Sequence, residues 1–376
     1  MELKEYRTLF PVTSQQIYLN HAAISPLSTR VTDKLEWYLD ERGFGKIDVY
    51  KQVSEIRVNT RQRLGRMINA APRNIAFIGN TSEGFNWLVN GLQWQEGDQI
   101  ILTDYEFPSN VYPFLNMQRH GVEIVYVPNR RGSIHLDDIK ASITPKTRLL
   151  SISFVEFSNG FRNDLPAIGQ LCKENGIIFS VDGIQGIGAM NLDVQQCGID
   201  FLSNGGHKWL MGIMGAGFMY INEQLFDRLT PSFTGWLAVE DSWNFFDYDL
   251  TFLPDARRFE YGTYNFMGLT GLSASIELLM EAGIERIEKH LLQLGEQLVS
   301  GLTETGMTFM GSDQRRHWSG IYSFSGDHIE ALFEDLKANQ IIGSLRNGMI
   351  RLAPHFYNTK QEIDEVIHHI ANFYQK

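Results

Sequence analysis

The chain has 376 residues, a formal net charge of −11 and 43% hydrophobic residues, which predicts about two globular domains and disfavours nucleic acid or an anionic membrane as the main partner. The N-terminus lacks the basic start and apolar run of a signal peptide, and no apolar stretch approaches the ~20 residues of a membrane span, so we expect a cytoplasmic protein. Its two cysteines, Cys172 and Cys197, lack metal-type spacing, and no metal site is predicted.

Short β-rich runs alternate with helical segments through the first two thirds of the chain. Strands separated by helices of ten or more residues indicate βαβ units, and therefore an α/β fold with a mainly parallel sheet and helices on both faces. The predicted strands are residues 75–78, 99–102, 123–127, 148–154, 177–181, 201–203 and 217–221, and the predicted helices are residues 82–92, 109–119 and 165–174.

The pattern changes near residue 266. A long helix over 269–282 is followed by leucines and isoleucines at helical spacing up to Leu302, and we interpret this stripe as core-facing rather than as a partner-binding seam. Two further strands and a closing helix complete a smaller α+β C-terminal domain. We therefore divide the chain into residues 1–265 and 266–376, with the first 50 residues expected to join the small domain or a dimer contact.

Four polar clusters follow predicted strands, where open α/β sheets bind their ligands. In the first, Thr81 and Ser82 stand at the start of a helix and offer hydroxyl and N–H groups to a phosphate. The same residues, with Asn80, would also serve as ordinary N-caps. The cluster alone leaves both interpretations open.

The second cluster is Val181-Asp182-Gly-Ile-Gln185, in which a carboxylate ends a strand of buried character. Burial of this carboxylate requires a cationic or hydrogen-bonding partner. A protonated pyridine nitrogen is such a partner and turns the ring into an electron sink. A helix cap or a surface turn is the alternative for Asp182.

The third and fourth clusters carry a lysine and an arginine. Lys208 lies beside His207 and Trp209 in a glycine-rich turn, a setting that favours the neutral, nucleophilic amine, although a surface lysine is the alternative. Arg351 lies among apolar neighbours in residues 349–354, where its planar fork would bind a carboxylate or form a structural salt bridge.

Together these segments resemble the class V aminotransferases, a group that also holds cysteine desulfurases, kynureninases and isopenicillin-epimerase-like proteins. The likeness runs from residue 17 to residue 359. It implies the PLP-dependent transferase fold of the aspartate aminotransferase type, with a seven-stranded type of sheet, and the cofactor pyridoxal 5′-phosphate (PLP). Its most specific pieces are Asp182-x-x-Gln185, Gly206-His-Lys208, Arg258-Phe-Glu-Tyr-Gly-Thr263 and Arg351-x-x-x-His-x-Tyr-Asn-Thr.

The resemblance assigns four residues to the cofactor ring. Lys208 would form the Schiff base and then shuttle the α-proton, and Asp182 would pair with the pyridine nitrogen. Gln185 would hydrogen-bond the phenolic oxygen O3′. Phe107 falls where an aromatic ring stacks on the cofactor, which suits a flat ligand.

The resemblance also implies a phosphate seat and a homodimer. Thr81, Ser82 and His207 would hold the phosphate. Thr263 is expected to reach the phosphate of the other subunit. The partners implied are therefore a second copy of the chain and a small amino-acid-type substrate.

For the substrate, the resemblance implies that Arg351 grips the α-carboxylate with help from Arg346. The residues around the reacting carbon determine which reaction proceeds once the proton is removed, and the sequence does not place them in space. The candidates include two that we assign to the substrate, His21 and His355, with Asn20, Phe107 and Trp236 beside them.

Three positions depart from the family pattern. Gly205 stands where many relatives carry a phosphate-binding serine, so Ser203 or Asn204 is expected to substitute. Phe107 replaces the histidine that desulfurases place over the ring. The asparagine that often contacts O3′ corresponds to Phe157, with Asn159 and Glu156 nearby.

The cysteine positions bear on the reaction. Desulfurases carry a sulfur-accepting cysteine upstream of the carboxylate arginine, whereas residues 347–350 here are Asn-Gly-Met-Ile. A persulfide-forming mechanism is therefore disfavoured, while elimination of the selenocysteine-lyase type needs no cysteine and stays open. We expect an enzyme, an aminotransferase first, with a kynureninase-like lyase or an epimerase as the alternative.

Two other classes of protein compete with these. A non-enzymatic scaffold of this fold is expected to lose Lys208 or Asp182, and both are present. A nucleotide-binding doubly wound enzyme is disfavoured because no Gly-x-Gly-x-x-Gly follows the first strand and no P-loop sequence occurs.

Overall fold

The computed structural model describes residues 3–375. Within this range no helix is both long enough and apolar enough to cross a bilayer. The strands of the described range are β1 (Ile17–Tyr18), β2 (Ile75–Ile78), β3 (Gln99–Thr103), β4 (Glu123–Val127), β5 (Thr147–Ser153), β6 (Ile178–Asp182), β7 (Phe201–Gly205), β8 (Gly217–Ile221), β9 (Thr308–Phe309), β10 (Tyr322–Ser325), β11 (Ile341–Ile342), β12 (Ser344–Arg346) and β13 (Met349–Leu352).

The helices are amphipathic or fully buried, and several begin with a side-chain cap. Ser28, Asn80, Asp164 and Asn265 each accept a backbone N–H at the start of a helix. The helices are α1 (Thr29–Gly43), α2 (Tyr50–Ile68), α3 (Thr81–Gly91), α4 (Tyr112–Leu115), α5 (Leu136–Ser142), α6 (Leu165–Glu174), α7 (Phe266–Ala282), α8 (Ile284–Glu304), α9 (Ile329–Ala338) and α10 (Lys360–Gln375).

The main sheet has seven strands in the order β2-β8-β7-β6-β5-β3-β4. All neighbours are parallel except β8, which runs antiparallel to both β2 and β7. Its central strands β5 to β8 are almost wholly buried, as expected for a sheet covered on both faces. The predicted α/β fold with a mainly parallel seven-stranded sheet is confirmed.

A second, antiparallel sheet of order β12-β13-β10-β9 lies in the C-terminal part. Beside it, β1 pairs in parallel with β11, and Leu19 belongs to the apolar cluster formed by α8, α9 and α10. The N-terminal segment therefore packs on the C-terminal elements. The domain boundary between residues 265 and 266 stays a prediction.

The helix predicted over residues 109–119 is wrong. The segment instead forms a 3₁₀ turn at Pro108–Asn110, the four-residue α4 and a second 3₁₀ turn at Asn116–His120. Pro113 explains the break, because proline has no N–H to donate and is tolerated only in the first turn of a helix. Here it occupies the start of α4.

Candidate active site

One cavity lies at the carboxyl edge of the main sheet. Because β8 is antiparallel to β2 and to β7, β2 runs in the same direction as β7, and the loops after β2, β3, β6 and β7 all meet at this edge. The cavity has a volume of about 680 Å³. It is lined by Ala22, Ala23, Asn80, Thr81, Ser82, Phe107, Pro108, Ser109, Phe157, Asp182, Ile184, Gln185, His207, Lys208, Arg346, Asn347 and Arg351.

A tight turn after β7 presents Lys208 to this cavity. Gly206 allows the turn, since a Cβ there would lie 2.6 Å from the carbonyl oxygen of Ala216. The Lys208 carbonyl accepts hydrogen bonds from Met211 N and Ser25 Oγ, which fix the backbone. The side chain is 8% exposed, and its Nζ lies 5.4 Å from the ring centre of Phe107.

The Lys208 amine and the Asp182 carboxyl have shifted protonation equilibria. Burial lowers the pKa of Lys208 to about 8, against an opposing effect of Asp182, and the positive charges of Arg351 and Arg346 lower it further. Burial raises the pKa of Asp182 to about 7, while the N–H of Ile184 and the charge of Lys208 oppose the rise. The lysine therefore holds a neutral amine at a pH where a solvent-exposed lysine is charged.

This environment predicts a specific pH dependence for the Lys208 amine. In protein prepared without cofactor, acetylation of Lys208 should rise with pH and reach half its maximum near pH 8, because only the neutral amine reacts and its pKa lies below the ordinary value. Peptide mass spectrometry after brief acetylation between pH 6 and pH 11 measures it. Arg346→Gln should move the midpoint upward by removing a nearby positive charge, whereas Lys337→Gln on α9 should leave it unchanged. A midpoint above pH 10 would contradict the burial effect.

Two buried glutamates lie near Asp182, and neither was assigned a role from the sequence. Glu106 accepts hydrogen bonds from Thr103 Oγ1, Asn110 Nδ2 and the N–H and hydroxyl of Ser153. Burial raises its pKa, and burial followed by the charge of Glu106 raises that of Glu156 well above the ordinary value. The signal for Glu106 was weaker than that for Asp182, because Glu106 lies three residues after the end of β3 whereas Asp182 ends β6.

The N-terminus of α3 forms one end of the cavity. Thr81 lies there with its Oγ1 buried and without a hydrogen-bond partner in the described part of the chain, and Ser82 and His207 line the same wall. Of the two residues expected to substitute at Gly205, Ser203 instead donates its hydroxyl to the carbonyl of Thr81 (2.8 Å) and lies outside the lining.

Asn204, the other expected substitute, is also outside the cavity wall. Its amide donates to the Gly205 carbonyl, and its Oδ1 is buried without a partner among residues 3–375. A Cβ added at Gly205 would lie 3.3 Å from Thr81 Oγ1. The threonine hydroxyl therefore occupies the region next to the missing serine.

Gln185, which lines the cavity, is held in place by hydrogen bonds to Trp209 and Ala22. Gln185 accepts a hydrogen bond from Trp209 Nε1 (2.9 Å) and donates one to the carbonyl of Ala22 (3.0 Å). These bonds use the Gln185 carbonyl oxygen and one of its two N–H groups, so the second N–H is available to a ligand. Both side chains are at most 3% exposed.

Two arginines that line the cavity come from a β-hairpin. Asn347 and Gly348 form the two-residue turn between β12 and β13, both with positive φ (48° and 70°), the geometry of a type I′ hairpin. Arg351 is 2% exposed, donates from Nε to Ser344 Oγ (3.2 Å) and from Nη1 to the carbonyl of Phe157. Burial and then the charge of Arg346 lower the pKa of Arg351 to about 10.

The structure does not bring His21 and His355 into the cavity, so the expectation that they contact substrate is not met by this geometry. Both are fully buried. The ring nitrogens of His21 contact the Ala353 carbonyl and the Tyr357 hydroxyl, and those of His355 contact the Trp209 carbonyl and the Phe356 N–H. Burial lowers the pKa of both histidines, to about 3 for His21.

Thr263 also lies away from Lys208 within one chain. It lines a separate cavity of about 210 Å³ with residues that include Glu83, Tyr261 and Asn265. Its predicted role toward the other subunit stays a prediction.

Trp236 is 38% exposed in an aromatic surface patch with Trp243 and Phe245, outside the Lys208 cavity.

Phe107 and Phe157 form an apolar wall. Their rings meet edge to face with centroids 5.3 Å apart. The Phe157 ring therefore provides no hydrogen-bond donor at the position where many members of the family that the chain resembles have an asparagine.

The two cysteines do not line this cavity. Cys172 and Cys197 are buried, with 1% and 6% exposure, and burial raises the pKa of each thiol to about 12.

The cavity residues fit PLP. An unpartnered buried hydroxyl at a helix N-terminus suits a phosphate, since such termini attract anions. Asp182 suits a protonated ring nitrogen, the exposed ring of Phe107 suits stacking, and Lys208 provides an amine for covalent attachment. Among residues 3–375 no cluster of three or more His, Cys, Asp or Glu side chains could hold a metal ion.

Comparisons with known proteins agree with this fit. Residues 17–366 match the family model described as Aminotransferase class-V. Uncharacterized aminotransferase YcbU of Bacillus subtilis is 27% identical over 368 residues, or 98% of this chain and 97% of that protein. The apo structure of a cysteine desulfurase from Thermococcus onnurineus NA1 superposes with a TM-score of 0.89 at 26% identity, covering 99% and 98% of the two chains. A mutant of C-DES with glycine covalently linked to its PLP cofactor shares the fold, with a TM-score of 0.90 at 24% identity over 97% and 99%.

Proposed function

Because the chain belongs to the class V aminotransferase family, whose cofactor is PLP, we propose that it is an aminotransferase that acts on an amino acid with a free α-carboxylate. The observation that carries the proposal is a single cavity lined by Lys208, Asp182 and Arg351 together. An attachment point, an anchor for a ring cation and an anchor for a carboxylate are the three contacts that such a reaction needs. The predicted cofactor is confirmed by the family, and the roles of individual residues are our assignments.

When bound, PLP withdraws electrons from the carbon that carries the amino group and thereby makes its proton acidic. In our assignment Lys208 Nζ attaches the cofactor. Asp182 keeps its ring nitrogen protonated, and one N–H of Gln185 is directed at the ring oxygen. Thr81, Ser82 and His207 hold the phosphate, and Phe107 covers the ring.

Substrate orientation is the task we assign to Arg351. Its guanidinium is fixed by Ser344 and by the Phe157 carbonyl, so a carboxylate bound there does not drag the side chain out of position. With the substrate held at Arg351, the Lys208 amine, which lines the same cavity, would take the α-proton in its neutral form. A pKa near 8 suits both the removal and the return of that proton.

The apolar wall favours transamination over epimerisation. A two-base epimerisation needs a second proton donor across the reacting carbon from Lys208, and Phe107 has no proton to give. Lys208 is then the single acid–base group, on one face of the reacting carbon, and transamination needs no more than one such group.

His21 and His355 are positioning residues in this assignment. Their hydrogen bonds hold the backbone of Ala353 and Trp209, which are the neighbours of Arg351 and Lys208.

The environment of the two cysteines argues against a mechanism in which a cysteine of this chain carries a persulfide. Cys172 and Cys197 are buried away from the cavity, and their raised pKa values disfavour the thiolate that sulfur transfer needs. Some class V relatives are cysteine desulfurases, so C–S bond cleavage without a cysteine carrier is the second candidate.

We also propose a homodimer in which Thr263 reaches the partner's phosphate site.

Product analysis separates the two candidates. An aminotransferase should form at most about one 2-oxo acid per site from an amino acid alone, release no ammonia, and turn over repeatedly only when a second 2-oxo acid is added. Cleavage or elimination should release ammonia in many turnovers without an acceptor. The measurement is the amount of 2-oxo acid and ammonia per site, with and without acceptor, for the PLP-loaded enzyme. Ammonia in excess of the enzyme would overturn transamination.

A further inference from the structure

We propose that Arg346 binds a second anionic group of the substrate, and that the substrate is therefore an amino acid with an acidic side chain. The inference rests on the proposed function, since it assigns the amino-acid end of the same cavity. It goes further by giving the two arginines different partners and by naming the class of side chain that the site accepts.

The register of the hairpin carries the first step. Arg346 lies opposite Met349, and Ser344 lies opposite Arg351. Met349 and Arg351 are two residues apart on one strand and so point to the same face, which makes Arg346 and Arg351 diagonal neighbours on that face. Residues that are diagonal neighbours on one face of a strand pair lie about 7–8 Å apart. Both side chains line the cavity, and the charge of Arg346 acts on Arg351, so the two guanidinium groups lie within electrostatic range of each other.

The two guanidinium groups differ in how they are held. Arg351 is buried and tied to Ser344 and to the Phe157 carbonyl, which sets the depth of its fork. Arg346 is exposed and forms no ion pair with any other residue between positions 3 and 375. It stands at the tip of a tight Asn347-Gly348 turn that keeps it at the cavity mouth. The position of the Arg351 guanidinium is therefore fixed by the protein, whereas the Arg346 guanidinium can move to meet a ligand.

The charge of the cavity wall supports a second anion. Its charged lining consists of one carboxylate, Asp182, and three cations, Lys208, Arg346 and Arg351, with His207 beside the phosphate end. The cofactor engages Asp182 and Lys208, and one α-carboxylate neutralises Arg351. One cation then remains at the substrate end. The charge of Arg346 lowers the pKa of Arg351, and an anion bound at Arg346 would offset this repulsion.

The test uses isosteric pairs of amino acids that differ in charge. Wild-type holoenzyme is assayed with the twenty common L-amino acids, and kcat/KM is compared between L-aspartate and L-asparagine and between L-glutamate and L-glutamine. We expect at least one acid to exceed its amide by more than about 10-fold. Arg346→Gln should lower that acid-to-amide ratio by about 10- to 100-fold, the loss of one charge-assisted hydrogen bond.

Two controls make the outcome decisive. Lys337→Gln removes a positive charge from α9 and should keep the wild-type ratio, whereas Arg351→Gln should lower kcat/KM for acid and amide alike. An unchanged acid-to-amide ratio in Arg346→Gln would overturn the inference and assign Arg346 to the α-carboxylate, while the proposed function would stand. If none of the twenty amino acids reacts, the proposed function fails, and this inference falls with it.

Discussion

Replacing Lys208 by alanine is expected to reduce amino-acid turnover by at least about 10³-fold, because one side chain supplies both the covalent attachment and the acid–base group. The buried amine with a pKa near 8 has no substitute in the cavity wall, where the nearest alternative, His207, has a lowered pKa caused by burial and by Lys208 itself. Single-turnover formation of 2-oxo acid measures the effect. Added methylamine should restore part of the activity, since it is a small amine that fits the vacated space.

Lys173→Ala is the matched control for this change. Lys173 is an exposed lysine in the last turn of α6, outside the Lys208 cavity, and its removal should leave turnover within about twofold of the wild type. A Lys208→Ala variant with more than about a tenth of the wild-type rate, after separation from any contaminating wild-type protein, would contradict the assigned role.

The second large effect is expected from Asp182→Asn. Asparagine keeps the size of the side chain and its hydrogen bond from Ile184, but it removes the negative charge that we assign to the ring nitrogen. The loss of one preorganised electrostatic contact predicts a decrease of about 10²- to 10³-fold in kcat. Cofactor should still bind through the remaining contacts, so PLP content and kcat are measured on the same sample.

Asp200→Asn provides the comparison on the same sheet. Asp200 accepts the Phe179 N–H (2.9 Å) at the amino edge, opposite the cavity, and its replacement should leave kcat unchanged even if it lowers stability. Equal decreases in kcat for Asp182→Asn and Asp200→Asn at full PLP content would show that the charge at Asp182 has no special role.

The strands of the main sheet were predictable because they are short and mostly apolar runs, several of them rich in β-branched or aromatic residues, separated by helical or turn segments. Helices α1 and α2 were not predicted, since their exposed faces are charged and their apolar faces are completed only by packing on α7. The predicted helix over residues 109–119 failed at Pro113 because the helical periodicity outweighed a breaker that was visible in the sequence.

Within the candidate site, the residues that follow strands could be grouped from the sequence, while their roles stay predictions. Asp182, Lys208 and Thr81 line one cavity because parallel strands bring their carboxyl ends together. His21 and His355 could not be placed, since a histidine near a motif carries no sign of which way it points. The hairpin that presents Arg346 was missed, although Asn347-Gly348 before an apolar run is a strong turn signal.

The position of the cofactor's attachment is the most direct test of the account. Purified protein incubated with PLP should absorb at about 410–430 nm, and borohydride should then fix the cofactor onto the chain. Digestion and mass spectrometry should find the added mass on Lys208 alone, and Lys208→Ala should show neither the band nor the fixed mass. A fixed cofactor on another lysine, or an identical band in Lys208→Ala, would contradict the central claim.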